Sequence, residues 1–153
     1  MKILVVYDAP FGTTRSVAEA IAGSLDEFHA VPVPIDDFKA GMLAAGDLLV
    51  VGSTANATRS TPKTTALLKA LGGGRLKGVR AAAFDTRVRL FIHVNAAKKM
   101  TASLRAGRAD IVSEPLPFYV KAGYVKAGEG LLCSGEIKKA EAWARTLFTT
   151  LKS

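Results

Sequence analysis

The sequence predicts a three-layer, doubly wound α/β domain whose five parallel strands run in the order 2-1-3-4-5. Three observations predict it. Three largely apolar runs, Ile3–Tyr7, Asp47–Gly52 and Val79–Phe84, have the character of strands buried on both faces, as parallel sheets require. Stretches with helical spacing alternate with the strands, which is the pattern of helices packed on both sides of a sheet. Among the strand candidates only the second and fifth contain prolines, and prolines within a sheet are confined to its edges. The order 2-1-3-4-5 puts those two strands at the edges, whereas the dinucleotide-fold order 3-2-1-4 would bury the second.

The elements follow in turn. Ile3–Tyr7 is the first strand and Asp8–Thr14 the turn after it. Val17, Ile21, Leu25 and Phe28, spaced by four, four and three, mark the first helix, with Thr13 or Thr14 as its N-cap. His29–Ile35 alternates and contains Pro32 and Pro34, the signature of an edge strand. Residues 36–46 form a short helix or loop. Asp47–Gly52 is the third strand, and Ser53–Thr61 a small polar loop. Pro62 suits the first turn of a helix carrying Leu67, Leu68 and Leu71, which Gly72–Gly74 ends. Val79–Phe84 is the fourth strand, ending at Asp85, and residues 86–95 read as a basic loop. Asn95 caps a helix with Met100 and Leu104 inward and Gly107 at its end. Ile111–Val112 and Phe118–Val120 are strand-like, but Pro115 and Pro117 interrupt them, again an edge. From about Gly135 a last helix places Ile137, Ala140, Ala144, Leu147, Phe148 and Leu151 on one side.

At 153 residues, 49% hydrophobic and 22% charged, the chain is sized for one domain, 1–153, and is not disordered. Its apolar runs are far shorter than the ~20 residues a bilayer span needs, so no membrane insertion is expected. Lys2 leads directly into a strand, with no signal-peptide pattern. The single cysteine, Cys133, excludes an intrachain disulfide framework and a multi-cysteine metal site. A reducing, cytoplasmic location is the expectation.

The formal net charge is +8, but its distribution matters more than its sum. Residues 1–60 carry 4 basic and 7 acidic side chains; residues 61–153 carry 17 and 6. The basic side chains are dispersed over several elements, without interleaved aromatics, so nucleic acid is not the expected partner.

In open α/β sheets a ligand binds beyond the carboxyl ends of the strands, where strand order reverses. That places the site at the ends of strands one and three, at Asp8–Thr14 and Ser53–Thr61, with Asp85–Asn95 alongside. No G-x-G-x-x-G follows strand one, and the spaced glycines Gly73 and Gly78 precede Val79 rather than a lysine, so neither a dinucleotide fingerprint nor a P-loop is present. A phospho-acceptor aspartate at the end of strand three, as in a receiver domain, is replaced by Gly52-Ser53-Thr54. What remains is a glycine- and hydroxyl-bearing turn at a helix N-terminus. Its backbone N–H groups and the helix dipole suit a monophosphate; alternatively, Thr13 and Thr14 merely cap the helix.

Val5-Val6-Tyr7-Asp8-Ala9-Pro10-Phe11-Gly12-Thr13-Thr14 resembles the phosphate-loop signature of the flavodoxin family, apolar-apolar-aromatic-x-Ser/Thr-x-x-Gly-x-Thr. Asp47–Ser53 is similar to the family's third strand, Pro62-Lys63 with Leu67–Leu71 to the helix after it, Ala81–Arg87 to its fourth strand and Gly135–Ala144 to its last helix. The resemblance spans nearly the whole chain. It implies a flavodoxin-like fold and an FMN-binding one-electron carrier that serves a redox partner protein. It assigns Asp8, Ala9, Pro10, Phe11, Gly12, Thr13 and Thr14 to the cofactor's first loop. The second loop contributes Thr54, Ala55, Asn56 and Ala57, and the third Asp85, Arg87 and Phe91.

Two departures stand out. Ala9 replaces the signature's Ser or Thr, removing a hydrogen bond worth roughly 1.5–3 kcal/mol to a charged acceptor. The second loop has no aromatic to stack on a flavin ring, leaving Phe91 and His93 of the third. These keep two alternatives open: a binding or regulatory module that has lost flavin, and a small FMN-dependent quinone reductase. Arg59, Lys63, Arg87, Arg89, Lys98 and Lys99 are either anion-recognising groups or a solvated basic rim. Asp8 is a helix-dipole partner at the first loop or a ligand contact, and Trp143 a packing anchor. The basic second half of the chain lies beside the expected ring. It implies an acidic partner, and a reduction potential less negative than in acidic relatives.

Overall fold

The computed structural model of the chain describes residues 1–8, 12–55, 60–88, 95–121 and 132–152. Among the described residues six strands and four α-helices follow one another: β1 (Ile3–Asp8), α1 (Thr13–Ser24), β2 (Val31–Pro34), β3 (Leu48–Thr54), α2 (Pro62–Ala70), β4 (Arg80–Val88), α3 (Ala96–Ala106), β5 (Asp110–Ile111), β6 (Leu116–Val120) and α4 (Glu136–Lys152). The sheet is parallel in the order β2-β1-β3-β4-β5, with β6 also on β4. The predicted order holds, and both proline-bearing strands are marginal. The fifth position is filled by two pieces. β5 pairs with Arg80 and Ala81 at the start of β4, and β6 with Phe84–Val88 at its end.

Alternation along β1 divides the core. Ile3, Val5 and Tyr7 join Val17, Ile21, Leu147, Phe84 and Phe118 in a layer under α1 and α4. Leu4 and Val6 join Leu68, Leu76, Met100 and Leu104 in a layer under α2 and α3. Complete burial on both faces is why these strands read as unbroken apolar runs. Trp143 anchors the first layer as expected. Its ring lies 6.1 Å from Phe84 and 6.2 Å from Phe118, and its indole N–H donates to Ser113 Oγ at 2.8 Å.

Two glycines are required by close approach. A Cβ on Gly52 would stand 1.9 Å from the Phe84 ring, inside any contact distance. One on Gly107 would stand 2.7 Å from the Leu71 carbonyl, so this residue lets α3 end against the α2–β4 connection. Gly107 ends α3 as expected, as its C-cap with φ −77°, and the next residue, Arg108, takes the left-handed conformation at 71°.

Several expectations are corrected. α1 ends at Ser24. Phe28 belongs to a 3₁₀ turn, Asp26–Phe28, and its ring packs on Phe148 at 5.0 Å. Two further 3₁₀ turns, Ile35–Asp37 and Ala40–Met42, occupy the uncertain 36–46 segment. Thr86, Arg87 and Val88 are strand rather than loop, because β6 supplies them with ladder partners Phe118, Tyr119 and Val120. Ile137, placed on the inner side of α4, is exposed.

Candidate functional site

The strand order reverses between β1 and β3, and in an open α/β sheet this reversal marks the ligand position, beyond the carboxyl ends of those strands. β1 delivers Asp8, β3 delivers Ser53 and Thr54, and β4 delivers Asp85, Thr86 and Arg87, with Asp8, Ser53 and Asp85 in register side by side. Among the expected site residues, Asp8, Gly12, Thr13, Thr14, Thr54, Ala55, Asp85 and Arg87 are described. Ala9, Pro10, Phe11, Asn56, Ala57 and Phe91 lie outside the described residues, as do Arg59, Arg89 and His93.

Neither threonine caps α1. The N-cap is Gly12, with φ 84°, and it makes no side-chain cap hydrogen bond. The left-handed turn there suits a residue without Cβ. The helical ladder opens with Ser16 N–H to the Gly12 carbonyl at 3.1 Å, so the N–H groups of Thr13, Thr14 and Arg15 precede it. The first turn of α1 contains no acid. The other helix starts differ. Thr61 caps α2, and Asn95 caps α3 by accepting from Lys98 N–H at 3.0 Å. Asp85 accepts the Ala97 N–H at 2.8 Å, and α4 opens on Glu136.

Thr14 is fully buried and joins the helix to the sheet. Its hydroxyl bonds to Thr86 Oγ1 at 2.7 Å and to Thr54 Oγ1 at 3.0 Å. Three hydroxyls carry three protons and two bonds use two, so one proton of the group is left for an outside acceptor. Ala55 N–H donates to the Thr86 carbonyl at 2.9 Å, continuing the tie between the β3 and β4 ends.

Asp8 sits at the first loop, but its partner is α2. Its carboxylate accepts from the Thr61 hydroxyl, which itself accepts from Thr64 N–H at 3.3 Å. A negative charge is thereby relayed to the start of α2, where the helix dipole favours it. Ser53 Oγ accepts from Thr61 N–H at 3.0 Å and holds the same corner. Lys63 is paired with Asp36 at 2.9 Å; that hydrogen-bonded pair, with Asp8 adding at longer range, holds its ammonium pKa above the ordinary value.

Asp85 and Arg87 form one unit. Asp85 is completely buried, and Arg87 grips it with two parallel bonds, Nε at 2.7 Å and Nη2 at 2.6 Å. Residues two apart on a strand share a face, which brings the fork onto its carboxylate. Arg87 also reaches Asn95 Oδ1 at 3.4 Å. Its guanidinium charge is spent largely within the protein, so it is part of the frame of the third loop before it is an anion receptor.

Sequence reasoning missed Thr61 and Thr86. The signal for Thr86 lay in Asp85-Thr86-Arg87: the pairing of Asp85 with Arg87 on one face puts the intervening residue on the other. Cys133 is half-buried. Among the described residues, no group of His, Cys, Asp or Glu could hold a metal ion, and no helix is long and apolar enough to cross a membrane.

No family sequence model matches the chain, and no curated protein matches it in sequence. Solved structures do match its fold. A flavodoxin from the domain Archaea superposes at TM-score 0.80 over 100% of both chains, with 17% identity. Oxidised flavodoxin 2 from Bacillus cereus aligns at TM-score 0.79 over 97% of this chain and 99% of its own, with 20% identity. Flavodoxin 1 from the same organism gives 0.77 over 97% and 98%, with 17% identity. The resemblance drawn from the sequence is thus borne out as a flavodoxin-like fold.

Proposed function

We propose that this flavodoxin-like chain holds FMN by its phosphate at the N-terminus of α1 and passes single electrons between partner proteins. The observation that carries the reading is the start of α1. It lies at the switch point, follows a left-handed glycine, and is the one helix start among the four described without a side-chain cap or a first-turn acid. A dianionic phosphate monoester would supply the missing negative charge.

The donor set fits that group. The N–H groups of Thr13, Thr14 and Arg15 and the spare proton of the Thr14–Thr54–Thr86 hydroxyls are donors. The nearest acid along the loop, Asp8, is engaged by Thr61. Ala9, Pro10 and Phe11 complete the first loop in this proposal, with Thr54, Ala55, Asn56 and Ala57 along one side of the ring and Phe91 along the other. Bound FMN supplies the one-electron chemistry. The chain's own residues bind the phosphate, fix the loop ends and set the surrounding field. Asp85 and Arg87 act by bracing the third loop. The excess of basic residues after position 60 favours an acidic redox partner.

The test is the visible absorbance of the purified chain before and after FMN addition and gel filtration. Retained flavin colour, reduced in the Gly12→Asp variant, is the expected result. A colourless protein that retains no FMN overturns the reading and leaves a binding module. Reduction of a quinone by a nicotinamide donor, without an added reductase, would instead make the chain a reductase.

A further inference from the structure

A second feature lies along the sheet margin, away from the α1 site. A cleft of about 720 Å³ runs between α3 and the Ile111–Pro115 connection that separates β5 from β6. One wall is α3, which presents Lys98 and Arg105. Ile111, Val112 and Pro115 give the other wall an apolar surface, and Glu114 stands on it as the single acid among the described lining residues. This wall is built firmly. Val112 N–H bonds to the Ala81 carbonyl at 3.0 Å, and Ser113 Oγ takes the Trp143 indole N–H at 2.8 Å.

Lys98 and Arg105 are exposed and, among the described residues, neither has an ion-pair partner. Seven residues apart on a helix, they lie on one face, separated by about 10 Å along the axis. That separation lets each cation hold its own carboxylate. It matches two acidic side chains three residues apart on a polyproline-II-like extended chain, at about 3.1 Å per residue, where such residues share a face. Nucleic acid strands bind through aromatic stacking as well as charge, and the described residues of the cleft lining include no aromatic. The apolar wall suits the aliphatic parts of a peptide.

We propose that this cleft is a docking groove for an extended acidic segment of a partner protein, with Lys98 and Arg105 as its charge anchors. The groove does not depend on flavin, so its test is separate from that of the α1 site. The probe is a fluorescent decapeptide of Glu-Ala-Ala repeats, with a glutamate at every third position, titrated by anisotropy at low and at physiological salt, with and without FMN. Binding is expected to weaken at least tenfold in Lys98→Glu and in Arg105→Glu, and to strengthen several-fold in Glu114→Gln. Lys77→Glu, an equal charge change on an exposed residue outside the cleft, should leave it within twofold. Unchanged thermal unfolding checks that the variants fold, and the opposite sign expected of Glu114→Gln cannot come from misfolding. Absence of peptide binding at low salt overturns the proposal. So does equal weakening by Lys77→Glu, which would mean a diffuse positive field. Tighter binding of an oligothymidylate of ten nucleotides, with the same sensitivity to Lys98 and Arg105, would make the occupant a nucleic acid and overturn it too.

Discussion

Thr14 and Thr86, 72 residues apart in sequence, share a buried hydroxyl–hydroxyl hydrogen bond of 2.7 Å. The bond pins the first turn of α1 to the end of β4, with Thr54 joining from β3. Thr14→Val keeps the shape and removes the hydroxyl, leaving two hydroxyls short of a partner. A loss of about 1–3 kcal/mol in the urea unfolding midpoint is expected. Thr14→Ser, which restores the group, should recover more than half of it. An unchanged midpoint in Thr14→Val would show that the trio contributes nothing.

Arg87→Ala leaves the Asp85 carboxylate buried with one backbone N–H and no counter-charge. Breaking a buried pair from one side costs about 3–5 kcal/mol, and the 14% exposure of the Arg87 side chain puts this one near the lower end. Removing both charges, in Arg87→Ala with Asp85→Asn, should be milder than Arg87→Ala alone. Thermal unfolding of the two variants decides, and equal losses would rule out an uncompensated charge as the cause.

Asp47 gives the acid limb of stability a residue-level origin. Burial pushes its pKa up, but the N–H groups of Lys2 and Ala44, both at 2.8 Å, and the Lys2 ammonium at 3.1 Å together bring it below the ordinary aspartate value of 3.8. A carboxyl with a depressed folded-state pKa stabilises fully above its unfolded value and stops doing so as pH falls through the folded value. Asp47→Asn should therefore be less stable than the parent at neutral pH, with the two converging below about pH 3.8. Parallel stability-versus-pH curves would contradict this.

Gly52→Ala places a methyl where the Phe84 ring stands. Overpacking of this kind costs about 1–3 kcal/mol. Phe84→Leu, which removes ring atoms from the same place, should partly relieve it. The double variant is expected to fall short of the summed single losses by at least about 0.5 kcal/mol. Simple additivity in chemical denaturation would mean that the ring and the glycine do not compete for space.

Added FMN should raise the unfolding temperature, because a ligand that binds only the folded chain stabilises it by about 2.7 kcal/mol at a hundredfold excess over Kd. Riboflavin, which lacks the phosphate, should have a smaller effect if the α1 terminus is the anchor. Equal shifts from the two would remove the phosphate from the argument.

Strand identity and order were legible because complete burial writes itself as unbroken apolar runs, and because Pro32, Pro34, Pro115 and Pro117 exclude their strands from the interior of the sheet. The Asn95 cap was legible for a local reason, a side chain bonding three residues ahead. The hydroxyl trio was not, since its members come from three segments brought together only by the sheet. Thr13-Thr14 read as capping residues because threonine caps helices often, yet Gly12 fills the position and Thr14 turns to the sheet. The end of β4 reads as a basic loop from sequence because Arg87 and Arg89 follow the apolar run. Its strand character depends on β6, which arrives thirty residues later in the chain.

The broken fifth strand has a consequence for the protein in concentrated solution. A long unpaired strand at a sheet margin is a template on which other chains extend the sheet. Here one margin, β2, is four residues long and half proline. At the other, β5 has two residues, and β6 is partly covered by the Val120–Leu132 bridge, the Cys133 N–H bond to the Tyr119 carbonyl and the Lys139 ammonium on the Pro117 carbonyl. Among the described residues neither margin offers a run on which fibrillar stacking could begin, so the same prolines that reveal the strand order also guard these margins against edge-to-edge pairing.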